Sequence, residues 1–193
     1  MNGRGIDMID YNKVFEENSI LESNRLILRP FTYDDVDDAH LYTSDDLVTK
    51  YLNWPTCKDK SETLSAFENY YYRRTGIFAI ELKSERKCIG CIDLRIIPEH
   101  EKASFGFVLN RSYWNSNYMS EALNVILDLS FSRLELNRVE ATHYVGNEGS
   151  GRVMQKCGMQ YEGTGIQEVK IKGIFQDVVH YAILRNQWDE VEK

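Results

Sequence analysis

Apolar positions along this chain fall into short runs with two different periods. "RLILRPF" (Arg25 to Phe31) alternates apolar and polar residues and stops at a proline, which predicts a strand. "TYDDVDDAHLYT" follows with Thr32 placed to cap a helix, and "KSETLSAFENYYYRR" predicts a second helix. Two strands, "GIFAIELK" (Gly76 to Lys83) and "KCIGCIDLRII" (Lys87 to Ile97), are joined by a hairpin-sized "SER". "PEHEK" turns the chain into a third, "ASFGFVL", and the apolar run "ALNVILDLSF" (Ala122 to Phe131) predicts a helix. "RVEATHYVG" (Arg138 to Gly146) is a strand, and "NEGSGRVMQKC" (Asn147 to Cys157) is a short helix stopped by Gly158. "MQYEGTG" and "QDVVHYAILR" close the chain as extended segments. This order predicts an α+β fold with helices on the faces of a sheet. Residues 1–20 form a polar leader with a short helix near Tyr11 to Glu17, and 21–193 form one domain without repeats or linkers.

Composition narrows the partners. A chain of 193 residues with 42% hydrophobic positions holds a sizeable core without staples. Its net charge of −7 argues against nucleic acid or an anionic membrane as partner and suits a cationic one. The acidic first residues and the lack of any run near 20 apolar residues predict no signal peptide and no membrane span. Together with four unpaired cysteines this predicts a cytoplasmic protein. Cys88 and Cys91 have the spacing of half a metal site. On a strand, however, positions three apart point to opposite faces, and no second Cys/His pair completes a tetrahedron, so no metal is expected.

The candidate chemistry lies in the join "YWNSNYMSEAL" (Tyr113 to Leu123), between a strand and a helix. A helix start leaves four backbone N–H groups free and carries partial positive charge, so it can hold a phosphate. Asn115 and Asn117 are suited to the left-handed backbone such a loop needs. The same residues also suit a plain polar turn, with Asn117 or Ser120 as a helix cap.

Four motifs in order, with three flanking stretches, add to this reading. They are the join itself, Arg138-Val139-Glu140-Ala141, Asn147-Glu148-Gly149-Ser150, Lys156-Cys157-Gly158-Met159, and the flanking "RLILRPF", "KYLNWP" and "GIFQDVVHYAIL". From about Leu21 to Trp188 the chain resembles the GNAT N-acetyltransferases, especially the RimJ/RimL branch that acetylates ribosomal-protein N-termini. The resemblance implies a mixed, mostly antiparallel sheet of about seven strands. It also implies acetyl-CoA as cosubstrate, with acetyl passing directly to a primary amine in a ternary complex. The acceptor is a protein N-terminus or, as the alternative, a small amine such as a polyamine or aminoglycoside. A catalytically weak CoA-binding protein is a third possibility, and a monomer or homodimer is expected. The coenzyme's pyrophosphate is implied at Trp114, Asn115, Ser116, Asn117, Tyr118, Met119 and Ser120. Its pantetheine arm is implied along Phe107, Val108 and Leu109, with Asn147 and Ser150 beside it. Tyr51 and Trp54 resemble the family's acceptor wall, with aromatic core packing as the alternative.

Departures from the family pattern set the catalytic candidates. Asn117 stands where the family has glycine, so Asn117→Gly is expected to keep or improve coenzyme affinity. Met154 stands where many members have a proton-donating tyrosine, which leaves Ser150 as the nearest acid; Ser150 as a mere local cap is the alternative. Ser104 stands where members often have a glutamate base. Asp93 is the candidate replacement, expected to face Ser104 across the hairpin; a solvated or hydrogen-bonded strand residue is the alternative. Glu168 is the second candidate base, one residue before the family's glutamate position, with its face expected to be reversed. His143, on the strand beside the coenzyme, is expected to be a packed or surface residue.

Overall fold

The alternating stretches pair into one sheet of eight strands in a computed structural model that describes residues 9–191. The strands are β1 (Leu21–Glu22), β2 (Leu26–Arg29), β3 (Ile77–Leu82), β4 (Lys87–Ile97), β5 (Lys102–Leu109), β6 (Arg138–Tyr144), β7 (Gln160–Ile171) and β8 (Ile174–Leu184). Their spatial order is β1-β2-β3-β4-β5-β6-β8-β7. Every pairing is antiparallel except β5 with β6. The predicted α+β class and mixed sheet are therefore present, with one strand more than expected because the two-residue edge strand β1 carries no readable period. The first eight residues of the leader lie outside the described residues. Its helix α1 (Tyr11–Glu17) buries Phe15 in the main core.

Helices cover both faces. On one face, α5 (Tyr118–Asp128) sends Met119, Ala122, Leu123, Ile126 and Leu127 into the main core, a single stripe at helical spacing. The helix α6 (Glu148–Lys156) adds Met154 there, and α7 (Arg185–Val191) adds Trp188, whose ring lies 6.0 Å from Phe131. On the other face, α2 (Val36–Thr43), the short α3 (Asp46–Thr49) and α4 (Lys60–Asn69) enclose a smaller core with Phe31, Tyr42 and Phe67.

Two irregularities correct the expected side-chain directions. Between β3 and β4, Ile80 pairs with Gly90 but Glu81 pairs with Cys88, so Ile89 is an extra residue. A bulge of this kind reverses the alternation. Cys88 and Cys91 consequently share the smaller core instead of opposite faces. Burial pushes both thiols up, that of Cys91 to about 12, which leaves them protonated and inert. No group of metal-binding side chains forms among the described residues.

The second correction concerns the β4–β5 turn. Pro98–His100 form a 3₁₀ turn, and Glu101 takes a left-handed backbone at φ 46°. This longer turn pairs Ile97 with Lys102, so Asp93 faces Gly106, and Arg95 takes the expected place opposite Ser104. A shift of two residues preserves the face, so Asp93, Arg95 and Ser104 still point the same way.

One carboxylate fixes the start of α5. Glu121 Oε1 accepts from the Ser23 hydroxyl at 2.7 Å and the Arg25 amide at 2.8 Å, and Oε2 accepts from the Arg25 guanidinium at 2.6 Å. Burial alone would raise this carboxyl, but these donors outweigh it and hold it below its ordinary value. Such a group stabilises the fold above its unfolded pKa, and that stability is lost as pH falls through the lowered folded value. Glu121→Gln is expected to lower stability by about 1–3 kcal/mol at neutral pH. The gap between the two proteins should stay constant above about pH 5 and close below about pH 4. Urea melts across pH measure it.

Candidate active site

The cleft begins where two parallel strands part. β5 and β6 pair only at Lys102–Arg138, Ala103–Val139 and Ser104–Glu140. Beyond Ser104 the strands diverge, and the β6-facing edge of Phe107 to Leu109 has no strand partner. The paired end is pinned by charge. Lys102 donates to Glu140 Oε1 at 2.8 Å, and Arg138 donates to Glu140 Oε2 at 2.8 Å and also holds Glu162.

The opening continues into a cleft of about 470 Å³. Its floor is Phe107, Val108 and Leu109, and its far wall is the start of α5. Asn115 and Asn117 both have a left-handed backbone, at φ 61° and 63°. The sequence was therefore read correctly on the loop's backbone shape. Asn117 is the N-cap of α5 by position but makes no side-chain cap; its Oδ1 instead accepts from Lys156 Nζ at 2.6 Å. Trp114 Nε1 donates to the Leu109 carbonyl at 2.8 Å and thereby ties the loop to the strand. The Arg25 guanidinium reaches the Ser116 carbonyl at 3.2 Å from behind the loop.

Of the residues assigned to the coenzyme, Phe107, Val108, Leu109, Trp114, Asn115, Asn117, Tyr118, Met119, Ser120, Asn147 and Ser150 line this cleft; Ser116 does not. Ser150 is half-buried on α6, and no protein group among the described residues takes up its hydroxyl. Met154 is buried in the core. His143 stacks on Tyr181 with ring centres 5.8 Å apart, a packed residue as expected. Tyr51 lines the cleft and donates to the Gly146 carbonyl at 2.8 Å, while Trp54 stands half-buried outside the lining. A larger groove of about 660 Å³ lies between α5 and the β1 region, away from the parted strands. Its size gives it no chemistry, because the free strand edge and the helix start both open into the smaller cleft.

Asp93 lies outside the cleft lining, on the sheet face covered by α2 to α4. It is buried, and the Tyr70 hydroxyl donates to its Oδ2 at 2.7 Å. Arg95 comes within 3.4 Å of either oxygen, as a weak hydrogen bond to Oδ2 and an ion-pair contact to Oδ1. Oδ1 itself has no hydrogen bond, an open acceptor in a buried position. Burial, and then the bond to Asp93, raise the Tyr70 hydroxyl's pKa, so Tyr70 remains a donor. Strand alternation places Arg95, Ser104, Glu140, Thr142 and His180 on this same face.

Glu168 departs from its expected geometry. β7 carries two extra residues between the Gly165–Val178 and Val169–Gln176 pairs, so simple alternation does not set its face. Its Oε2 meets His180 Nε2 at 2.7 Å, on the rim rather than in the cleft.

A free strand edge, a helix start with two left-handed asparagines, and cations on the cleft wall suit a long ligand that carries phosphates and an amide-rich arm. The family model described as "Acetyltransferase (GNAT) domain" matches residues 25–160. The chain belongs to the GNAT acetyltransferase family. The acetyltransferase is 33% identical over 171 residues to "Uncharacterized N-acetyltransferase YnaD" of Bacillus subtilis, covering 88% of this chain and 99% of that one. A GNAT-family acetyltransferase structure from Bacillus anthracis superposes with a TM-score of 0.80 at 29% identity, over 86% of this chain and 99% of that chain. A more distant relative, spermidine N(1)-acetyltransferase of Vibrio cholerae, is 27% identical over 112 residues, 58% of this chain and 64% of that one.

GNAT enzymes use acetyl-CoA, and the residues present fit it. The acetyltransferase should therefore gain thermal stability with CoA, by about 2.7 kcal/mol at a hundredfold excess over Kd. Trp114, 41% exposed at the cleft, should change its fluorescence in the same titration. Trp114→Phe identifies the responding ring. An unchanged melting temperature at millimolar CoA contradicts the assignment of this cleft.

Sequence reasoning missed Tyr70, Lys50, Arg152 and Lys156. Tyr70 was visible only as part of an aromatic run, and Lys156 only as a letter in the family motif. Neither Asp93 nor Asn117 was seen as half of a pair, because such pairs join segments 23 and 39 residues apart.

Proposed function

We propose that this acetyltransferase acetylates the α-amine of a protein or peptide N-terminus, with Asp93 as base and Ser150 as acid. The observation that carries the reading is the open Oδ1 of buried Asp93. An incoming ammonium donates to that oxygen and satisfies it. Asp93 then removes the proton, directly or through water, so that a neutral amine attacks. Acetyl-CoA supplies the activated acetyl group when bound. Ser150, on the cleft wall with an unspent hydroxyl, gives its proton to the departing thiolate and regains one, directly or through water, as the nitrogen loses its second proton on forming the amide. A backbone N–H near Leu109 stabilises negative charge on the carbonyl oxygen.

Charge supports an acceptor with a single cation. Around this face, Glu140 is held by Lys102 and Arg138, Glu162 by Arg138, Glu168 meets His180, and Arg95 approaches Asp93 only at 3.4 Å. Asp93 alone among the described carboxylates keeps a buried oxygen without a hydrogen bond. A polyamine needs several open carboxylates along its length, and an α-amine needs one. An α-amine also loses its proton about 2.5 pH units more readily than an alkyl amine, a saving of about 3 kcal/mol in the step Asp93 performs. The second reading, a polyamine acceptor, is favoured by the named activity of the Vibrio cholerae relative.

Two variants and an acceptor panel test the proposal. Asp93→Asn should lower turnover by about 10²–10⁴-fold with coenzyme affinity unchanged, and should partly recover at alkaline pH, where more acceptor is already neutral. Ser150→Ala should slow turnover without that recovery. Steady-state rates across pH, with folding checked by melting temperature, separate the two roles. Near-normal turnover in Asp93→Asn removes Asp93 and leaves Glu168 as the candidate. A higher kcat/KM for spermidine than for peptides with free N-termini decides for the second reading.

A further inference from the structure

We propose that Asn117 and Lys156 form a two-residue phosphate clamp, in which the asparagine holds the lysine ammonium at the helix start for the coenzyme's pyrophosphate. This inference rests on the coenzyme reading of the cleft and concerns how the present chain does without the family's loop glycine.

Lys156 ends α6 and Asn117 precedes α5, so the contact bridges the two helices that flank the cleft. Lys156 Nζ donates to Asn117 Oδ1 at 2.6 Å, and both residues line the cleft. An amide oxygen orients an ammonium without cancelling its charge. A carboxylate at the same place would cancel it. The charge is in fact uncancelled: among the described residues, Lys156 makes no ion pair, and neither do Lys50 and Arg152 on the same lining. Among the described residues, the only carboxylate in the lining is Glu148. A protein of net charge −7 thus presents three unpaired cations to one cleft, which calls for an anion of more than one charge.

The backbone explains why asparagine can serve here. At φ 63° a side chain is strained unless it is asparagine, aspartate or glycine. Glycine gives closer backbone approach and nothing else. Asparagine gives the same turn and an oxygen that positions Lys156. The ammonium then adds to the partial positive charge of the α5 start, where the pyrophosphate lies in the coenzyme reading. The earlier expectation for Asn117→Gly is accordingly reversed.

Calorimetry with CoA, dephospho-CoA and pantetheine tests the clamp, with melting temperatures as a folding control. Lys156→Ala should weaken CoA about tenfold, and dephospho-CoA by the same factor, since the pyrophosphate is common to both. Pantetheine, which lacks phosphate, should show no loss. The CoA penalty should shrink at 1 M salt. Asn117→Gly, which the backbone tolerates, should weaken CoA about three- to tenfold, and the double variant should bind no worse than Lys156→Ala alone. Asn117→Asp should lose more than Lys156→Ala, because it neutralises the ammonium and repels the phosphate. Unchanged CoA affinity in Lys156→Ala, improved affinity in Asn117→Gly, or an equal penalty with pantetheine overturns the clamp. A penalty confined to CoA assigns Lys156 to the 3′-phosphate and overturns the pyrophosphate assignment. Failure of the unaltered protein to bind CoA overturns the coenzyme reading itself and the clamp with it.

Discussion

The fold turns on a parallel strand pair that is closed at one end and open at the other. β5 and β6 share three residue pairs, and the Lys102–Glu140–Arg138 charges hold that end shut. A continuous ladder would use every backbone group on both edges and leave no room between them. The early parting leaves Phe107 to Leu109 with an unpaired edge, which is a binding surface for an extended ligand. It also permits α5 and α6 to bring their starts to one opening. Because each of these consequences needs the strands fixed on one side and free on the other, the closure by three residue pairs is a constraint on the whole site rather than a local detail.

The helix start that faces the opening is fixed from behind. Ser23 and Arg25, in the β1–β2 turn, hold Glu121 in the first turn of α5, and Arg25 also stacks over Tyr118 at 4.2 Å. On the other side, Arg111 reaches Asp45 at 2.6 Å and so ties the β5–α5 join to the start of α3. A loop without glycine keeps its shape here because the segments at both ends are anchored by charge-assisted bonds. The cost of two left-handed asparagines is small against that restraint.

Much of this was legible in the sequence where the information is local. β4 runs from Lys87 to Ile97 as its pattern predicts, α1 occupies Tyr11–Glu17, and the loop asparagines take the backbone their residue type allows. What escaped the reading was set by backbone irregularities. The extra Ile89 put both cysteines on one face, the left-handed Glu101 moved the β4–β5 register by two, and the wide bulge before Val169 freed Glu168 from alternation. Each adds residues without a strong local signal, since Ile89 is as good a strand residue as its neighbours. Contacts across the chain escaped for a different reason: nothing in the spacing of Tyr70 and Asp93 announces that a helix end will meet a strand.

The irregularities and the charges together divide the site into two electrostatic halves. The cleft side carries Lys50, Arg152 and Lys156 against Glu148, and the α2–α4 face carries the open oxygen of Asp93. In the proposed function the anionic coenzyme would be drawn into the cleft and the cationic amine toward Asp93, which lies outside the cleft lining. Exchange of the two ligands would set phosphate against a carboxylate and an ammonium against three cations. In that reading the separation would give each ligand its direction of entry before any close contact forms, within the roughly 8–10 Å over which such charges act in physiological salt. Neutralised carboxylates matter as much as the open one. If Glu140 lacked Lys102 and Arg138, it would add an acid with no cation beside Asp93, which Arg95 approaches at 3.4 Å, and in the proposed function selection for a single positive charge would weaken. In that reading, the same three residues that close the strand pair also limit how many positive charges the acceptor would carry.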